Sequence, residues 1–497
     1  VVHLHNVDMD NIGLGYCCDV VETPCDTSPL SLSANIERDT IQHEKAHNVL
    51  ASFTLQACDS QFGFAVRQRI HADFVVVLDT SDSMKTGQKL ASVLATIEYM
   101  MDVLSENDRF ALVQFDETAT VLFGLDYLTA EKKEDILNIL QNIRTHGNTN
   151  ISDGLFTALS ILQSREGDIP ISRILLLTDG LSNRGLSHSE MIRKLQHEEL
   201  DENLTIHCFG YGKDHSSSCL QTIAFRSPGG LYYYIEDSEH IAETFGDCLA
   251  GTFSTVAYSI HVELEAFDGC RFIKIRTKFP FRSVKQMKKY VGSLGSMYEQ
   301  ESRSVLMRMS LRGLPKCSQN LFRVTLRYKS AIDHSSYCHR KLVTVARNQE
   351  PSNVPMNKEL DRQINRVTSA EAIDKAISAA SVKNFGTAEQ TINCAIQRIS
   401  TSITSSDPYC RDLIDDLKDC KRCVSSHEIF AKTGIHEAHQ YSTMHNQERS
   451  VGMRNERSTR NVGYGYCTTQ QAMQMEKAAA AISSYLAAYE SPLESSV

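Results

Sequence analysis

Between residues 73 and 253 the chain alternates short apolar runs with segments whose apolar residues recur at helical spacing. The run at 74–78 is continuous, as expected of a parallel strand buried on both faces. A helical stripe over 90–104 follows it, and the alternation then continues. The other predicted strands lie at 110–115, 120–123, 174–177, 204–209 and 231–235. This pattern predicts a doubly wound, mostly parallel α/β sheet covered by helices, whose ligands bind beyond the carboxyl ends of the strands.

The flanking sequence predicts further domains. After residue 254 apolar residues alternate at period two, which predicts a β-sandwich, and a similar alternation begins at residue 49. Helical spacing returns after two prolines near residue 355. The predicted organisation is an irregular arm at 1–46, one or more strands joining the sandwich at 47–67, the α/β domain at 68–255, the sandwich at 256–348, a helical domain at 356–435, and a flexible crossing with a terminal helix at 436–497.

Length, charge and cysteine content narrow the class of protein. At 497 residues the chain is too long for one core, and its formal charge of -10 argues against broad capture of nucleic acid or anionic membranes. No apolar stretch approaches the ~20 residues that span a bilayer. The 15 cysteines are odd in number and scattered, which favours reduced thiols and a cytoplasmic location. Because the chain does not begin with Met, a removed leader and secretion stay open.

Oxygen-bearing side chains follow several of the predicted strands or precede the helices between them. Asp79, Ser81 and Ser83 come directly after the first buried strand, and Asp179 ends the fourth. Thr149 lies in a polar loop before a predicted helix. Because the carboxyl ends of parallel strands share one edge of a sheet, these groups are expected to lie close together. Carboxylates and hydroxyls are hard ligands that suit Mg²⁺ or Mn²⁺, so the sequence predicts a divalent metal site.

This pattern of Asp-x-Ser-x-Ser, a later Thr and a later Asp-Gly resembles the metal-ion-dependent adhesion site of von Willebrand factor type A domains, which have a Rossmann-like fold. The resemblance covers about 180 residues. It implies direct metal ligation by Ser81, Ser83 and Thr149, direct or water-mediated ligation by Asp79 and Asp179, and an open coordination position that an Asp or Glu carboxylate of a partner protein fills. Asp82 departs from the family pattern, which commonly has Gly there. The alternative is a loop that keeps the motif without metal, where Asp79 only caps backbone amides.

The order of domains adds a weaker resemblance. An α/β domain followed by a β domain and a helical tail is similar to relatives of the inter-alpha-trypsin inhibitor heavy chains, and to plant ubiquitin ligases that carry a RING finger ahead of the same arrangement. Here Cys17, Cys18, Cys25 and Cys58 lack the Cys-x-x-Cys pairs of such a finger, so ligase activity is not carried over.

Two motifs favour an enzyme or zinc protein more weakly. His43-Glu44-Lys45-Ala46-His47 matches the helical zinc site of metallopeptidases, but a strand pattern begins at once after it and no clear third ligand follows. The Cys420-x-x-Cys423 pair is interpreted as part of a solvated helix face. We therefore expect a non-enzymatic, metal-dependent interaction or scaffold protein. The alternative is an enzyme-associated role, either as a zinc peptidase or as a ubiquitin-pathway subunit, and the oligomeric state is left open.

Overall fold

The computed structural model describes residues 28–57, 69–167, 169–236, 239–349, 355–452 and 466–490. Its strands are β1 Leu30–Ile36, β2 Thr40–Gln42, β3 His47–Ala57, β4 Ala72–Asp79, β5 Arg109–Phe115, β6 Ala119–Tyr127, β7 Ile171–Thr178, β8 Leu204–Tyr211, β9 Tyr232–Ile235, β10 Thr255–Ala266, β11 Cys270–Arg276, β12 Phe281–Lys285, β13 Lys289–Tyr298, β14 Ser302–Leu311, β15 Ser318–Ser330 and β16 Ser336–Asn348. Its helices are α1 Lys89–Val103, α2 Ala130–Asn142, α3 Ile151–Gln163, α4 His188–His197, α5 Ser217–Ala224, α6 Glu239–Phe253, α7 Lys358–Ser381, α8 Phe385–Ser400, α9 Pro408–Cys423, α10 His427–Ile429, α11 Ile435–Gln447 and α12 Thr469–Glu490.

The central sheet has six strands in the order β6-β5-β4-β7-β8-β9, and every pair except the antiparallel β5–β6 pair is parallel. All eight residues of β4 are buried because helices cover both faces of the sheet. Residues 74, 76 and 78 pack with α1, α2 and α6, whereas residues 75 and 77 pack with α3, α4 and α5. This architecture is the doubly wound α/β fold that the alternating pattern predicts.

A β-sandwich is built from both sides of the α/β domain. One sheet has the order β1-β3-β14-β11 and the other β12-β13-β10-β15-β16-β2. Strand β3 pairs with β14 over ten residues, from Gln56 opposite Ser302 to His47 opposite Leu311. The side chains of Phe53 and Leu55 are fully buried in the core between the sheets. The chain therefore leaves the sandwich after β3 and returns to it at β10.

The prediction of an irregular arm over residues 1–46 is wrong in its C-terminal part, where β1 and β2 are strands. Apolar and polar residues do alternate from Leu30 to Ile36, which is typical of a half-buried strand, and the antiparallel pairing with β3 fixes the strand. Residues 1–27 and 58–68 of the predicted arm and joining segment lie outside the described residues.

The prediction that a flexible crossing begins at residue 436 is also wrong, because the helix α11 occupies Ile435–Gln447 and is largely buried. Its face towards α5 is polar, whereas Ala438, Tyr441 and Met444 lie in the hydrophobic core. Gln221 of α5 donates from Nε2 to the backbone oxygen of His439 at 2.9 Å and to the Thr443 hydroxyl at 3.0 Å. Contacts of this kind satisfy the polar groups on the buried face of the helix. The terminal helix α12 packs closely on α6, and residues 453–465 lie outside the described part of the chain.

Among the described residues, no helix combines the length and apolarity that a bilayer crossing requires.

Candidate metal centre

The first loop of the candidate site begins at the carboxyl end of β4. The Asp79 carboxyl is fully buried, where it accepts hydrogen bonds from the Ser81 amide at 2.9 Å and from the Thr178 hydroxyl at 2.5 Å. The chain then turns into a 3₁₀ segment, Asp82–Gln88, that leads into α1. The Ser81 and Ser83 hydroxyl oxygens lie 3.0 Å apart on the same side of this turn. The Asp-x-Ser-x-Ser spacing thus places a carboxylate and two hydroxyls together.

The second loop precedes α3 and contains Thr149, and the third loop follows β7 and contains Asp179 and Gly180. Both bring oxygen atoms close to those of the first loop. The Ser83 hydroxyl donates to Asp179 Oδ1 at 2.6 Å, which joins the first loop to the end of β7. A Cβ atom on Gly180 would lie 3.2 Å from Thr149 Oγ1 and 3.5 Å from Ser83 Oγ. The glycine therefore leaves open a small cradle that the hydroxyls of Ser83 and Thr149 line. The structure brings together all five residues that the sequence predicts as metal ligands.

Backbone hydrogen bonds hold the three loops in register. The Thr80 carbonyl accepts from the His146 amide at 2.8 Å, which ties the first loop to the second. Asn183 accepts from the Thr149 amide through Oδ1 at 2.9 Å and donates its own amide to the Thr149 carbonyl at 3.0 Å, which ties the second loop to the third. These contacts fix the backbone of Thr149 from both sides, so the place from which its side chain projects is set before any ligand binds.

Burial and nearby charges set the electrostatics of the site. Burial raises the pKa of Asp79 to about 6, and the neighbouring carboxylate of Asp179 acts in the same direction. A divalent cation favours the ionised form of such a carboxyl. Asp82 points away from the centre, since its side chain is 66% exposed and lies 4.0 Å from the Lys85 ammonium. The extra carboxylate is thus solvated.

The donor set fits a hard divalent cation. Two carboxylates and three hydroxyls are oxygen ligands of the kind that Mg²⁺ and Mn²⁺ favour, and none of the five is a soft sulfur or nitrogen ligand. Four of the side chains, Asp79, Ser81, Thr149 and Asp179, are almost completely buried, whereas Ser83 is exposed. A cation held by these oxygens would therefore have one accessible side.

Three residues that shape this centre do not belong to the motif in the sequence. Thr178 donates to Asp79, Asn183 brackets the backbone of Thr149, and Lys89 places its ammonium 2.5 Å from Asp179 Oδ2. Thr178 and Asn183 flank the Asp-Gly motif on the same loop, and this proximity was the available signal. Lys89 lies ten residues after Asp79, and only the turn of the 3₁₀ segment Asp82–Gln88 brings it back to the site.

The structure does not favour the competing sites. His43 and His47 lie on a turn and at the start of β3, with Glu44 at a φ of 54°, so they lack the helical spacing that a metallopeptidase site needs. The predicted solvated face around Cys420 and Cys423 is wrong: both thiols are buried on α9, and Cys423 contacts Glu437 of the neighbouring helix. Within the ranges that the structure describes, no cluster of three or more His, Cys, Asp or Glu side chains is arranged to hold a metal.

Comparison with known proteins concerns the families to which two segments of the chain are similar. Residues 73–247 match the family model of the von Willebrand factor type A domain, and residues 356–461 match the model described as CPSF6-like, RSLD domain, N-terminal region. The segment 73–247 is therefore a von Willebrand factor type A domain. Domains of this family often mediate protein–protein interactions, and those with the adhesion motif bind divalent metals.

Among individual proteins, the chain is similar to pig (Sus scrofa) inter-alpha-trypsin inhibitor heavy chain H4, with 29% identity over 183 residues, or 36% of this chain and 20% of that protein. The chain spans less than half the length of the first curated relatives it matches.

Two solved structures resemble the larger part of the chain. A von Willebrand factor type A protein from Catenulispora acidiphila has a TM-score of 0.65 at 16% identity, covering 84% of this chain and 96% of its own. The ArnB paralog VWA2 from Sulfolobus acidocaldarius has a TM-score of 0.57 at 14% identity, covering 84% and 99%. At these identities the likeness concerns the fold alone. It extends beyond the α/β domain, which makes up much less than 84% of the chain.

Proposed function

We propose that this chain is a non-enzymatic interaction or scaffold protein that grips a partner protein through a divalent metal ion. Mg²⁺ or Mn²⁺ would be held by Asp79, Ser81, Ser83, Thr149 and Asp179. The observation that carries the proposal is the convergence of oxygens from three loops on the cradle beside Gly180. A cytoplasmic location is part of the proposal and rests on the odd and scattered cysteines.

The chemistry of the donors supports an acidic partner. Three of the five donors are neutral hydroxyls, so only the two carboxylates offset the charge of the cation, and a further anionic ligand can still complete its coordination. An Asp or Glu carboxylate from the partner supplies that ligand. Mg²⁺ prefers octahedral coordination and readily keeps water where protein does not reach, so the carboxylate would replace a water on the accessible side.

The rim of the site supports a protein rather than a small ion as the physiological ligand. Leu181, directly after Gly180, is 59% exposed beside the cradle. An apolar side chain next to a charged centre suits an interface in which an acidic residue reaches the metal while an apolar neighbour packs beside it. Interfaces commonly derive most of their energy from a few such central contacts.

The experiment that tests the metal site is calorimetric titration of the full chain with Mn²⁺. We expect the wild type to bind one ion, Asp79→Ala to lose binding, and Thr149→Ala to lose binding with its thermal unfolding unchanged. Thr118→Ala is the matched control, because Thr118 is an exposed threonine on a neighbouring loop. Equal Mn²⁺ affinity in the wild type and the Asp79→Ala protein would overturn the proposal.

Affinity capture tests the partner. The wild type and Thr149→Ala proteins would be used as bait in Mg²⁺ and again in EDTA. A partner that binds through the metal should be retained only by the wild type in Mg²⁺, since truncating one side of a buried charged contact commonly costs about 2 to 5 kcal/mol. A partner retained equally in all four conditions would place the interaction elsewhere on the chain.

A further inference from the structure

Lys89 is held against the candidate metal centre by a buried carboxylate. It is the first residue of α1, and its Nζ lies 2.5 Å from Asp179 Oδ2. Asp179 is fully buried and the lysine side chain is only 19% exposed, so this ion pair is largely removed from solvent. A cation at a helix N-terminus opposes the helix dipole, which means that α1 itself does not favour a lysine there. The contact with Asp179 accounts for its placement.

The backbone around Lys89 leaves room for its side chain. Gly212 follows the carboxyl end of β8 with a φ of +64°, and a Cβ atom there would lie 3.5 Å from Lys89 Cε and 3.6 Å from Nζ. The lysine therefore runs across bare backbone to reach Asp179. The two oxygens of Asp179 are divided between different donors, since Ser83 donates to Oδ1 at 2.6 Å and Lys89 to Oδ2.

We propose that Lys89 is a resident counter-ion of the adhesion site, which weakens binding of the metal alone and strengthens binding of an acidic partner to the metal-loaded site. The inference rests on the proposed function. With Asp79 and Asp179 ionised, the two carboxylates contribute -2, Lys89 contributes +1 and the metal +2, so the loaded site carries -2 + 1 + 2 = +1. Without Lys89 the same sum is -2 + 2 = 0.

Two consequences follow from this charge balance. Before metal binds, the ammonium repels the incoming cation and occupies Asp179 Oδ2, leaving Oδ1 as the oxygen that faces Ser83. After metal binds, the excess positive charge remains in a poorly solvated place, where Coulomb attraction for a carboxylate is stronger than in water. Lys89 thereby makes retention of the metal depend on the arrival of an acidic ligand.

The test measures two affinities on the full-length protein at one pH and ionic strength. Mn²⁺ binding is followed by calorimetry, and acetate binding to the Mn²⁺-loaded protein by the loss of water-proton relaxation as acetate displaces Mn²⁺-bound water. Lys89→Met removes the charge while keeping the length of the side chain, and Lys89→Arg keeps the charge. Lys85→Met is the matched control, because Lys85 is 70% exposed and its ion pair is with the solvated Asp82.

For Lys89→Met we expect the Mn²⁺ affinity to rise roughly tenfold relative to the wild type. The acetate affinity of the Mn²⁺-loaded protein should fall by roughly threefold or more. Lys89→Arg and Lys85→Met should both resemble the wild type. If Lys89→Met does not fold, as judged by circular dichroism, Lys89→Gln replaces it in the same two measurements. Unchanged Mn²⁺ and acetate affinities in a folded, charge-removed variant would overturn the role of Lys89 while leaving the metal site intact. Failure of the wild type to bind Mn²⁺ would instead overturn the proposed function itself.

Discussion

At the scale of single residues, the candidate site depends on the absence of a side chain at Gly180 as much as on the predicted ligands. Gly180 lies between the hydroxyls of Ser83 and Thr149. An oxygen ligand of Mg²⁺ has little freedom in distance, because the ion demands near-ideal octahedral geometry. Any atom added at position 180 therefore competes with the arrangement of these hydroxyls rather than with the packing of the core.

We predict that Gly180→Ala weakens Mn²⁺ binding about tenfold while the fold is kept, since ligand positions must hold to within about 0.2 Å. The added Cβ would lie 3.2 Å from Thr149 Oγ1, which forces that hydroxyl to shift. Calorimetry measures the affinity and thermal unfolding the stability. Gly124→Ala is the matched control, because no atom lies within 4 Å of a Cβ at that edge-strand position. Mn²⁺ affinities that agree for Gly180→Ala and Gly124→Ala would contradict the prediction.

The departure of Asp82 from the family pattern leads to a second prediction at this scale. Its carboxylate is 66% exposed and faces Lys85 rather than the cradle. Water and salt screen such a charge, so Asp82→Gly is expected to change the Mn²⁺ affinity by less than about twofold. The measurement is calorimetry at about 0.15 M salt, with Asp79→Ala as the positive control for loss of binding. A drop of tenfold or more in the Asp82→Gly protein would mean that the carboxylate reaches the ion.

The predicted ligands could be identified from the sequence, whereas the residues that hold these ligands in position could not. Asp79 is the last residue of β4 and Asp179 directly follows β7, and the rule that parallel strands end at one edge is enough to bring them together. Thr178, Asn183 and Lys89 act through contacts with other loops, and a motif read along the chain does not encode which loops meet. Their roles follow from distances that exist only after folding.

At the scale of elements, the last helix of the von Willebrand domain is covered by the C-terminal helix of the chain. The backbone of α12 approaches α6 so closely that a Cβ on Gly246 would lie 2.8 Å from the Met475 Cα. At this contact the Asp247 carboxyl accepts hydrogen bonds from Gln471 Nε2 at 2.9 Å and from the Tyr233 hydroxyl at 3.2 Å. Burial raises the pKa of Asp247 from its ordinary 3.8 to about 7.

We predict that Asp247→Asn removes a pH-dependent loss of stability. Because the folded pKa is raised, the fold favours the protonated carboxyl, so its contribution is fully present below pH 4 and is lost as the pH rises towards 7. From pH 5 to pH 7 the free energy of unfolding of the wild type should fall by about 2 kcal/mol relative to the variant, at about 1.4 kcal/mol per pKa unit. Urea unfolding at both pH values measures this difference.

The control for this prediction is Asp135→Asn, which removes an exposed carboxylate on α2. That variant should follow the pH dependence of the wild type. A constant difference in unfolding free energy between the wild type and Asp247→Asn across pH 5 to 7 would show that the Asp247 carboxyl titrates as it does in the unfolded chain.

Elements with an apolar signature were predictable, and those fixed by polar contacts were not. The six strands of the central sheet each carry a run of apolar residues, so their number and order along the chain follow from periodicity. By contrast, α11 faces α5 with histidine, serine and threonine side chains, as in the 2.9 Å contact between His439 Nδ1 and Gln221 Oε1. A buried polar face has the composition of a loop, so the sequence alone predicts a flexible crossing there.

At the scale of the whole molecule, the three folded parts meet at consecutive residues that follow α11. Arg449 binds the sandwich through Glu301 Oε1 at 2.6 Å and the Ser296 carbonyl at 2.8 Å, and it binds the von Willebrand domain through the Gly229 carbonyl at 2.9 Å. Its neighbour Glu448 accepts from the Ser304 amide of the sandwich at 2.8 Å.

The helical region joins the same junction through α7. The Arg366 guanidinium pairs with Glu448 at 3.2 Å and donates to the Ser304 carbonyl at 2.9 Å. All of these charged side chains are buried, so each depends on its partners for compensation. We therefore expect the junction to couple the folding of the three parts.

The last prediction concerns that coupling. Arg449→Met leaves Glu301 with Arg303 as its remaining cationic partner and removes the donors to Gly229 and Ser296. Breaking a buried pair on one side commonly costs about 3 to 5 kcal/mol, and the loss should appear as separation of a single unfolding transition into two or more. Differential scanning calorimetry measures the transitions, and amide hydrogen exchange over 435–452 should accelerate first.

Arg323→Met is the matched control, because its pair with Glu265 is partly exposed and such pairs contribute about 0 to 1 kcal/mol. The Mn²⁺ affinity should stay unchanged, since the junction contacts none of the five predicted ligands. If Arg449→Met and Arg323→Met destabilise the protein equally, Arg449 does not couple the three parts.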